Sequence, residues 1–341
     1  MKFVKVLPFL ITIAALATLP VQAQTGGFDR TLQVSGPVSL DVSSGSGNII
    51  VQGGAKDSVH IVARIHAQNS WLDWIGWFGT SVTDEIHKLE ANPPIEQKGN
   101  SIRVGHMNGW QLHNISIDYD LTVPSQTALI SYTGSGDQSI SGLQLASAAT
   151  AGSGTITAEN IGADVRLRAG SGVLTIDSVI SLNAETGSGS IHARRVAGEI
   201  VASAGSGSID IEQVAAGNAR IGTGSGDVSL HGAKGAVRIE TGSGEIRVEG
   251  DPTADWHISA GSGSIGLTLP SQAPFNLDAR TSAGSLKINR ALTAEGFASR
   301  NHLQSKVGNG GALLDAYTAS GNIDINYYRL NEPRVRWPCQ N

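Results

Sequence analysis

The tripeptide Gly-Ser-Gly occurs nine times in this chain of 341 residues. Eight copies follow one another at intervals of 17 to 19 residues and begin at Gly134, Gly152, Gly170, Gly187, Gly205, Gly224, Gly242 and Gly261. A fixed interval of this length is typical of folds in which one small unit is stacked on the next. The repeat therefore predicts architecture, whereas Gly-Ser-Gly itself supplies no reactive side chain.

Apolar and polar residues alternate on both sides of each copy. After the second glycine, the second and fourth residues are aliphatic in nearly every copy, as in Ile209 and Ile211, and Gln138 is the one polar residue among these 18 positions. The residue directly before each of the eight regular copies is Ala or Thr. Because alternate residues of a strand point to opposite faces, each unit is predicted to contain two short strands with the aliphatic set inside.

These features predict an all-β fold, a parallel β-solenoid with coils of about 18 residues and two short strands in each coil. Glycine is expected at the turn because it accepts a positive φ without a steric penalty, so that identical turns can stack. The many alanines and the scarcity of aromatic residues in the repeats predict a narrow core with little room for large rings.

The sequence pattern divides the chain into five segments. They are a signal peptide (1–23), an N-terminal β segment with the first coil (24–65), a Trp-rich insertion and possible cap (66–114), the regular coils (115–290) and degenerate coils with a C-terminal cap (291–341). In the last part, Ser285–Ile288 and Ser320–Ile325 resemble degenerate repeats about 37 residues apart, or about two coils.

The first 23 residues predict export. Lys2 and Lys5 precede a short apolar run, and Val21-Gln22-Ala23 has the small residues of a cleavage site. A membrane anchor is the alternative, but the run is short and contains Pro8. The expected location is the periplasm, the cell surface or the extracellular space. Cys339 is the single cysteine, so no internal disulfide is possible, and we expect it in a poorly ordered tail.

The Trp-rich insertion contains the candidate binding residues. Trp71, Trp74, Trp77 and Phe78 lie within eight residues, and the stretch Thr83–Leu89 after them predicts a short capped helix. One interpretation is an exposed aromatic patch that binds a membrane interface, a cell-surface glycan, another envelope polymer or a protein. The other is a hydrophobic plug that covers the end or side of the stack. Solvent exposure of the rings distinguishes the two.

Sequence motifs for catalysis or metal binding are absent. The chain has no nucleophile elbow, no phosphate-binding loop, no His-Glu-x-x-His sequence and no cysteine pair. Asp137 and Asp227 are the only aspartates directly after the motif, which disfavours a regular calcium ladder. Outward carboxylates such as Asp210 and Glu212 are expected to form ordinary ion pairs on the surface of the sheet. His192, His231 and His257 occupy different positions relative to the motif. We therefore predict no enzyme activity, no cofactor and no metal site.

The chain resembles the bacterial putative-adhesin β-strand-repeat domains of unknown function, and it is similar to the head domains of putative autotransporter adhesins. The resemblance is carried by the signal peptide, the stretch Tyr119–Pro124 leading into Thr133–Asp137, and the serial Gly-Ser-Gly-x-Ile copies. It covers nearly the whole mature chain. It implies an adhesin-like role and brings no catalytic residues with it.

The predicted function is that of an exported, non-enzymatic scaffold that binds through many weak contacts along flat polar faces. The net charge of −5 disfavours nucleic acid as a partner. Two alternatives remain open at this point. A glycan-active β-helix enzyme, a lyase or hydrolase, would need paired carboxylates in a cleft. A structural envelope component would have no ligand at all.

Overall fold

The computed structural model describes residues 25–67, 82–106, 115–289 and 296–328. The predicted signal peptide and Cys339 lie outside these residues. In the part of the chain that is described, no helix has the length and apolar character needed to cross a membrane.

The described residues contain 27 strands and one short helix, which confirms the predicted all-β class. The N-terminal part comprises β1 (Thr25–Gln33), β2 (Val38–Ser46), β3 (Ile49–Ala55), β4 (Ser58–Ala67), α1 (Val82–Ala91), β5 (Ile95–Lys98), β6 (Ser101–Val104) and β7 (Ile115–Pro124). The regular part comprises β8 (Thr127–Ser135), β9 (Gln138–Ser141), β10 (Ser147–Ser153), β11 (Ile156–Ser171), β12 (Leu174–Thr186), β13 (Ile191–Val196), β14 (Ile200–Ala204), β15 (Ile209–Gln213), β16 (Ala219–Ser225), β17 (Val228–Lys234), β18 (Val237–Ser243), β19 (Ile246–Asp251), β20 (Trp256–Ser262) and β21 (Ile265–Pro270). The C-terminal part comprises β22 (Phe275–Ala283), β23 (Leu286–Ile288), β24 (Gly296–Ala298), β25 (His302–Val307), β26 (Leu313–Ser320) and β27 (Ile323–Tyr328).

Strands that precede Gly-Ser-Gly pair with one another, and strands that follow it pair with one another. In the first set, here called layer 1, Ala202 of β14 is in parallel register with Ala184 of β12 and Ile221 of β16. In the second set, layer 2, Ile209 of β15 is in register with Ile191 of β13 and Val228 of β17. The partners are 17 to 19 residues apart, so each repeat adds one strand to each layer. The long strands β11 and β12 pass through both layers.

The aliphatic positions of both layers form one buried core. Ile191, Ile209 and Ile246 are at most 1 % exposed, as the alternation predicts. Trp256 departs from the predicted narrow core, because its indole is completely buried. It is the first inward residue of β20, beside the connection between the layers, and its ring N–H donates a hydrogen bond of 3.0 Å to the carbonyl of Gly235. The expectation of little room for large rings is therefore wrong at this end of the stack.

Close approach of successive turns explains the glycines. A Cβ atom on Gly207 would lie 1.8 Å from the carbonyl oxygen of Gly189, one unit earlier. Among the 16 glycines of the eight regular copies, only Gly154 and Gly263 have a positive φ, of 130° and 159°. The predicted reason for glycine, a positive φ, is thus wrong for most copies. The turns need glycine because the preceding turn occupies the space of a side chain.

Several buried polar side chains near the turns form hydrogen bonds inside the stack. The hydroxyl of Thr223, directly before a motif, donates to the carbonyl of Gly207 at 3.0 Å, and Thr133 donates in the same way to Gly47. The buried Gln138 accepts a hydrogen bond from the hydroxyl of Ser131 at 2.5 Å and donates to a backbone carbonyl at 2.7 Å. These bonds remove the cost of burying a polar side chain among aliphatic ones.

The N-terminal end of the stack is covered by antiparallel strands. In layer 1, β6 lies on β2, and β5 lies antiparallel on β6. In layer 2, β7 lies on β3, β4 is antiparallel to β7, and β1 is antiparallel to β4. The predicted short helix is α1, which packs on β1 through the buried Ile86. The Glu90 carboxylate accepts a hydrogen bond of 3.0 Å from the N–H of Gly27, which lowers the pKa of Glu90.

The C-terminal end of the stack has a different order in space than in sequence. β26 lies between β20 and β22, and β27 lies between β21 and β23. The last repeat is therefore inserted between two earlier ones. The two degenerate repeats, predicted to be about two coils apart, lie side by side, and the amide of Ser285 donates to the side chain of Asn322 at 3.0 Å. The antiparallel strands β24 and β25 occupy the intervening sequence and continue layer 1 beyond β22.

Candidate binding surface

One row of outward side chains runs across eight consecutive strands of layer 1. Each member is the fourth residue before a Gly-Ser-Gly copy, and the backbone register places each beside the next. We call this the basic row; its members are Ile130, Ala148, Arg166, Asn183, Val201, Arg220, Arg238 and His257. It contains three arginines and no acidic residue. With strands about 4.8 Å apart, the row is about 34 Å long.

A groove of about 620 Å³ lies over the first half of the basic row. Ala128, Ala146 and Ala148 leave space at one end, and Ile130 stands there with 61 % of its surface exposed. Polar groups line the other part, namely Asp164, Arg166, Ser181, Asn183 and Glu199. A groove of this volume, with a small-residue floor and a few polar groups, is of the size that binds small molecules or short segments of a polymer.

The two layers differ in the charge of their outer faces. From β9 to β21, the outward side chains of layer 2 include five carboxylates and two arginines in the two rows that face solvent: Glu159, Asp177, Asp210, Glu212, Glu249, Arg194 and Arg247. From β8 to β18, the outer face of layer 1 carries equal numbers of charges of both signs, because Arg166, Arg168, Arg220 and Arg238 share it with Asp164, Glu185, Glu199 and Glu240. Layer 2 therefore has the more acidic outer face of the two.

On layer 2, the structure brings together carboxylates and a histidine that the sequence interpretation treated as scattered. Glu212 is in register with His231, and the His231 ring nitrogen Nδ1 lies 3.4 Å from Glu249 Oε2. The hydrogen bond to Glu249 raises the pKa of His231, nearby Asp210 and Glu212 add to this, and partial burial opposes it. Glu212, His231 and Glu249 are each the fifth residue after the second glycine of a copy, so aligned repeats already contain this signal.

Replacing His231 by glutamine is expected to destabilise the protein more at pH 5.5 than at pH 9. Folding raises the pKa of His231, so the interaction of the protonated ring with Glu249 stabilises the folded state fully below the unfolded pKa of about 6.5. This stabilisation is lost as the pH rises through the pKa of His231 in the folded state. The ring is 39 % exposed, so the difference stays below about 1 kcal/mol. Urea unfolding at both pH values measures it. Ser229→Ala, on the same strand and face, is the control, and an equal loss for His231→Gln at both pH values would contradict the prediction.

The described residues contain no group of three or more His, Cys, Asp or Glu side chains that could hold a metal ion. The candidate residues Trp71, Trp74, Trp77 and Phe78 lie outside the described residues, so their role as an aromatic patch stays a prediction. His257 belongs to the basic row of layer 1, away from His231.

Three solved structures are similar to this chain. A "putative cell adhesion protein" from Clostridium sporogenes has 12% identity and a TM-score of 0.19, over 89% of this chain and 100% of that one. A "putative adhesin" from Bacteroides fragilis has 13% identity and a TM-score of 0.30, over 88% and 96%. Another from Parabacteroides distasonis has 10% identity and a TM-score of 0.31, over 89% and 98%. These values are too low to carry an argument about function, and no curated protein matches significantly.

A family model does match the repeats. The model described as Toastrack DUF4097 aligns with residues 163–326. This segment runs from β11 to β27 and includes both layers, the basic row from Arg166 onward and the inserted last repeat. Residues 163–326 of the chain are thus similar to Toastrack DUF4097 domains, a family of unknown function.

Proposed function

We propose that the protein is an exported, non-enzymatic β-solenoid, with coils of about 18 residues, that acts as an adhesin-like binding scaffold at the bacterial cell envelope. The observation that carries the proposal is the basic row with its groove. Side chains at one position of successive repeats present a continuous surface on layer 1. The anatomy of residues 1–23 supports export.

The binding mechanism follows from the spacing of the strands. A rigid face that offers one outward position every 4.8 Å or so can contact an extended polymer at many points at once. Each contact on an exposed face is weak, but contacts that are held on one body act together, because every later contact is intramolecular. A scaffold of this kind needs no mobile loops and no reactive group.

A glycan-cleaving activity is the second candidate, because the groove contains two carboxylates. Asp164 and Glu199 lie two strands apart, about 9.6 Å along the stack, with Ser181 between them. Asp164 already accepts a hydrogen bond from the hydroxyl of Ser181. Inverting glycosidases hold their two carboxyl groups at about 6.5–9.5 Å. Both carboxylates are exposed at the rim of an open groove rather than enclosed, which favours binding over catalysis.

Sedimentation with purified envelope polymers tests the proposed function. The mature chain, from residue 24 onward, is expected to bind peptidoglycan, lipopolysaccharide or a capsular glycan saturably and to leave the length of the polymer unchanged. A soluble protein of the same size and net charge is the control. Failure to bind any of these polymers would overturn the proposal in favour of a ligand-free structural role. Shortening of a polymer that Asp164→Asn abolishes would establish the enzyme instead.

A further inference from the structure

The groove over the first half of the basic row has two ends of different chemistry. Around β8 and β10 its floor consists of the methyl groups of Ala128, Ala146 and Ala148, and the exposed Ile130 stands beside them. Around β11, β12 and β14 it is lined by charged and polar side chains. These five strands span four intervals of about 4.8 Å, so the groove is about 19 Å long. An occupant of its full length therefore meets an apolar surface at one end and hydrogen-bonding groups at the other.

Three side chains at the polar end have hydrogen-bonding capacity that the fold does not use. Arg166, Asn183 and Glu199 make no ion pair and no side-chain hydrogen bond with any residue that the structure describes. Asn183 lies beside Arg166 on the next strand, and Glu199 directly precedes the strand after that. A guanidinium group donates, a carboxylate accepts, and an amide does both. A ligand that donates and accepts at neighbouring positions therefore satisfies all three.

The charges along the groove disfavour a strongly charged ligand. Asp164 and Glu199 outnumber Arg166, so the lining does not attract an anionic polymer, and the guanidinium group between the two carboxylates opposes a cationic one. A wholly apolar ligand would take these ions out of water without giving them partners, which costs free energy. A neutral ligand rich in hydroxyl groups avoids both problems, because each hydroxyl donates one hydrogen bond and also accepts.

The position of the groove within the sheet disfavours a peptide. Extended peptides bind to sheets by adding a strand at an edge, where backbone groups are free. The strands β8, β10, β11, β12 and β14 are each paired with a neighbour on both sides. Their backbone N–H and C=O groups are therefore already bonded to other strands, and a ligand in the groove is held by outward side chains. Hydroxyl groups of a sugar match such side chains without any strand pairing.

We propose that the groove binds a neutral oligosaccharide of several linked pyranose rings. The C–H face of one ring lies on the alanine floor against Ile130. Hydroxyl groups of the following rings accept hydrogen bonds from Arg166, exchange them with Asn183 and donate to Glu199. The inference rests on the proposed envelope-binding function and deepens it, because it names the site and the class of ligand.

Filling the alanine floor tests the apolar end of the groove. The probes are neutral hexasaccharides of β-1,4-linked glucose, mannose, galactose or N-acetylglucosamine, and calorimetry with the purified mature chain measures their binding. We expect at least one to bind saturably and Ala146→Trp to weaken its binding about tenfold or more, because the indole occupies the space of a sugar ring. Ala236→Trp is the matched control. Ala236 is likewise the sixth residue before a Gly-Ser-Gly copy but lies five strands further along, outside the groove.

Removing one guanidinium group tests the polar end. Arg166→Ala is expected to weaken binding of the same hexasaccharide about fivefold or more. Arg220→Ala is the control, since it removes an equal charge from the same row outside the groove, and it should change affinity less than about twofold. Affinity of the wild-type protein should differ little between about 50 and 200 mM NaCl, because the ligand is uncharged. Arg166→Ala and Arg220→Ala should unfold at the wild-type temperature, because both residues are exposed.

The outcomes separate the inference from the proposed function. Equal losses within both matched pairs, tighter binding of hexagalacturonate than of every neutral hexasaccharide, or binding of a peptide but of no neutral hexasaccharide would each overturn the inference. Sedimentation with envelope polymers can still succeed in these cases through another surface, and the proposed function stands. If the wild-type protein binds neither a hexasaccharide nor any envelope polymer, the proposed function itself is overturned.

Discussion

Substituting Gly207 with alanine is expected to destabilise the protein by at least about 3 kcal/mol. The added Cβ would lie 1.8 Å from the carbonyl oxygen of Gly189 and 2.5 Å from its carbonyl carbon. Both atoms belong to the backbone of the preceding turn, so no side chain can move aside. The two turns must separate, which breaks the ladder between β13 and β15 on one side and disturbs it between β12 and β14 on the other.

Thermal and urea unfolding followed by far-ultraviolet circular dichroism measure this loss. Ser206→Ala is the matched control, because Ser206 is the exposed central residue of the same turn. It is expected to change the free energy of unfolding by no more than about 0.5 kcal/mol. If Gly207→Ala is as stable as Ser206→Ala, the close stacking of turns cannot be the reason for the glycines.

Removing the indole of Trp256 is expected to cost about 3–5 kcal/mol. The side chain is completely buried, and Trp256→Ala would leave a large cavity between the two layers beside the inserted last repeat. It also leaves the carbonyl of Gly235 without its hydrogen bond from the ring N–H. Trp256→Phe keeps most of the volume but loses the hydrogen bond, so we expect a smaller loss of about 1–2 kcal/mol.

Val214→Ala is the control for the cavity. Val214 is 50 % exposed, and its truncation is expected to change stability by about 0.5 kcal/mol or less. The variants are compared by urea unfolding with circular dichroism, since the substitution removes one fluorophore. A loss for Trp256→Ala no larger than that for Val214→Ala would show that the ring does not pack in the core.

The alternation of the repeats predicted the β class and the buried faces because both depend on neighbouring residues in the sequence. Ile209 and Ile211 point inward simply because the strand has a period of two. The reason for the glycines depends on residues one repeat apart, such as Gly189 and Gly207. It could be recognised only from the distance between successive turns in the structure. The burial of Trp256 could not be predicted from the composition of the repeats either. The core has room for the indole only at the first inward position of β20, and the sequence alone does not show this.

The candidate surface was present in the sequence but not recognised there. Arg166, Arg220 and Arg238 share one position relative to the motif, and so do Glu212, His231 and Glu249. Aligning the outward positions as carefully as the inward ones would have found both rows. The order of the last two repeats could not be found in this way. Leu286 and Ile288 have the same alternation as Ile323 and Ile325, and nothing in either pair selects β21 as its neighbour.

The insertion of the last repeat determines where the stack can be extended. Its two strands, β26 and β27, are enclosed by earlier strands on both sides, so this repeat lies inside the stack and not at its tip. A duplicated module in the middle would lengthen the protein and preserve this arrangement, whereas a module that follows β27 would find both sides of β27 already paired, with β21 and β23. Tandem growth during evolution is thereby directed to the repeats that precede β20.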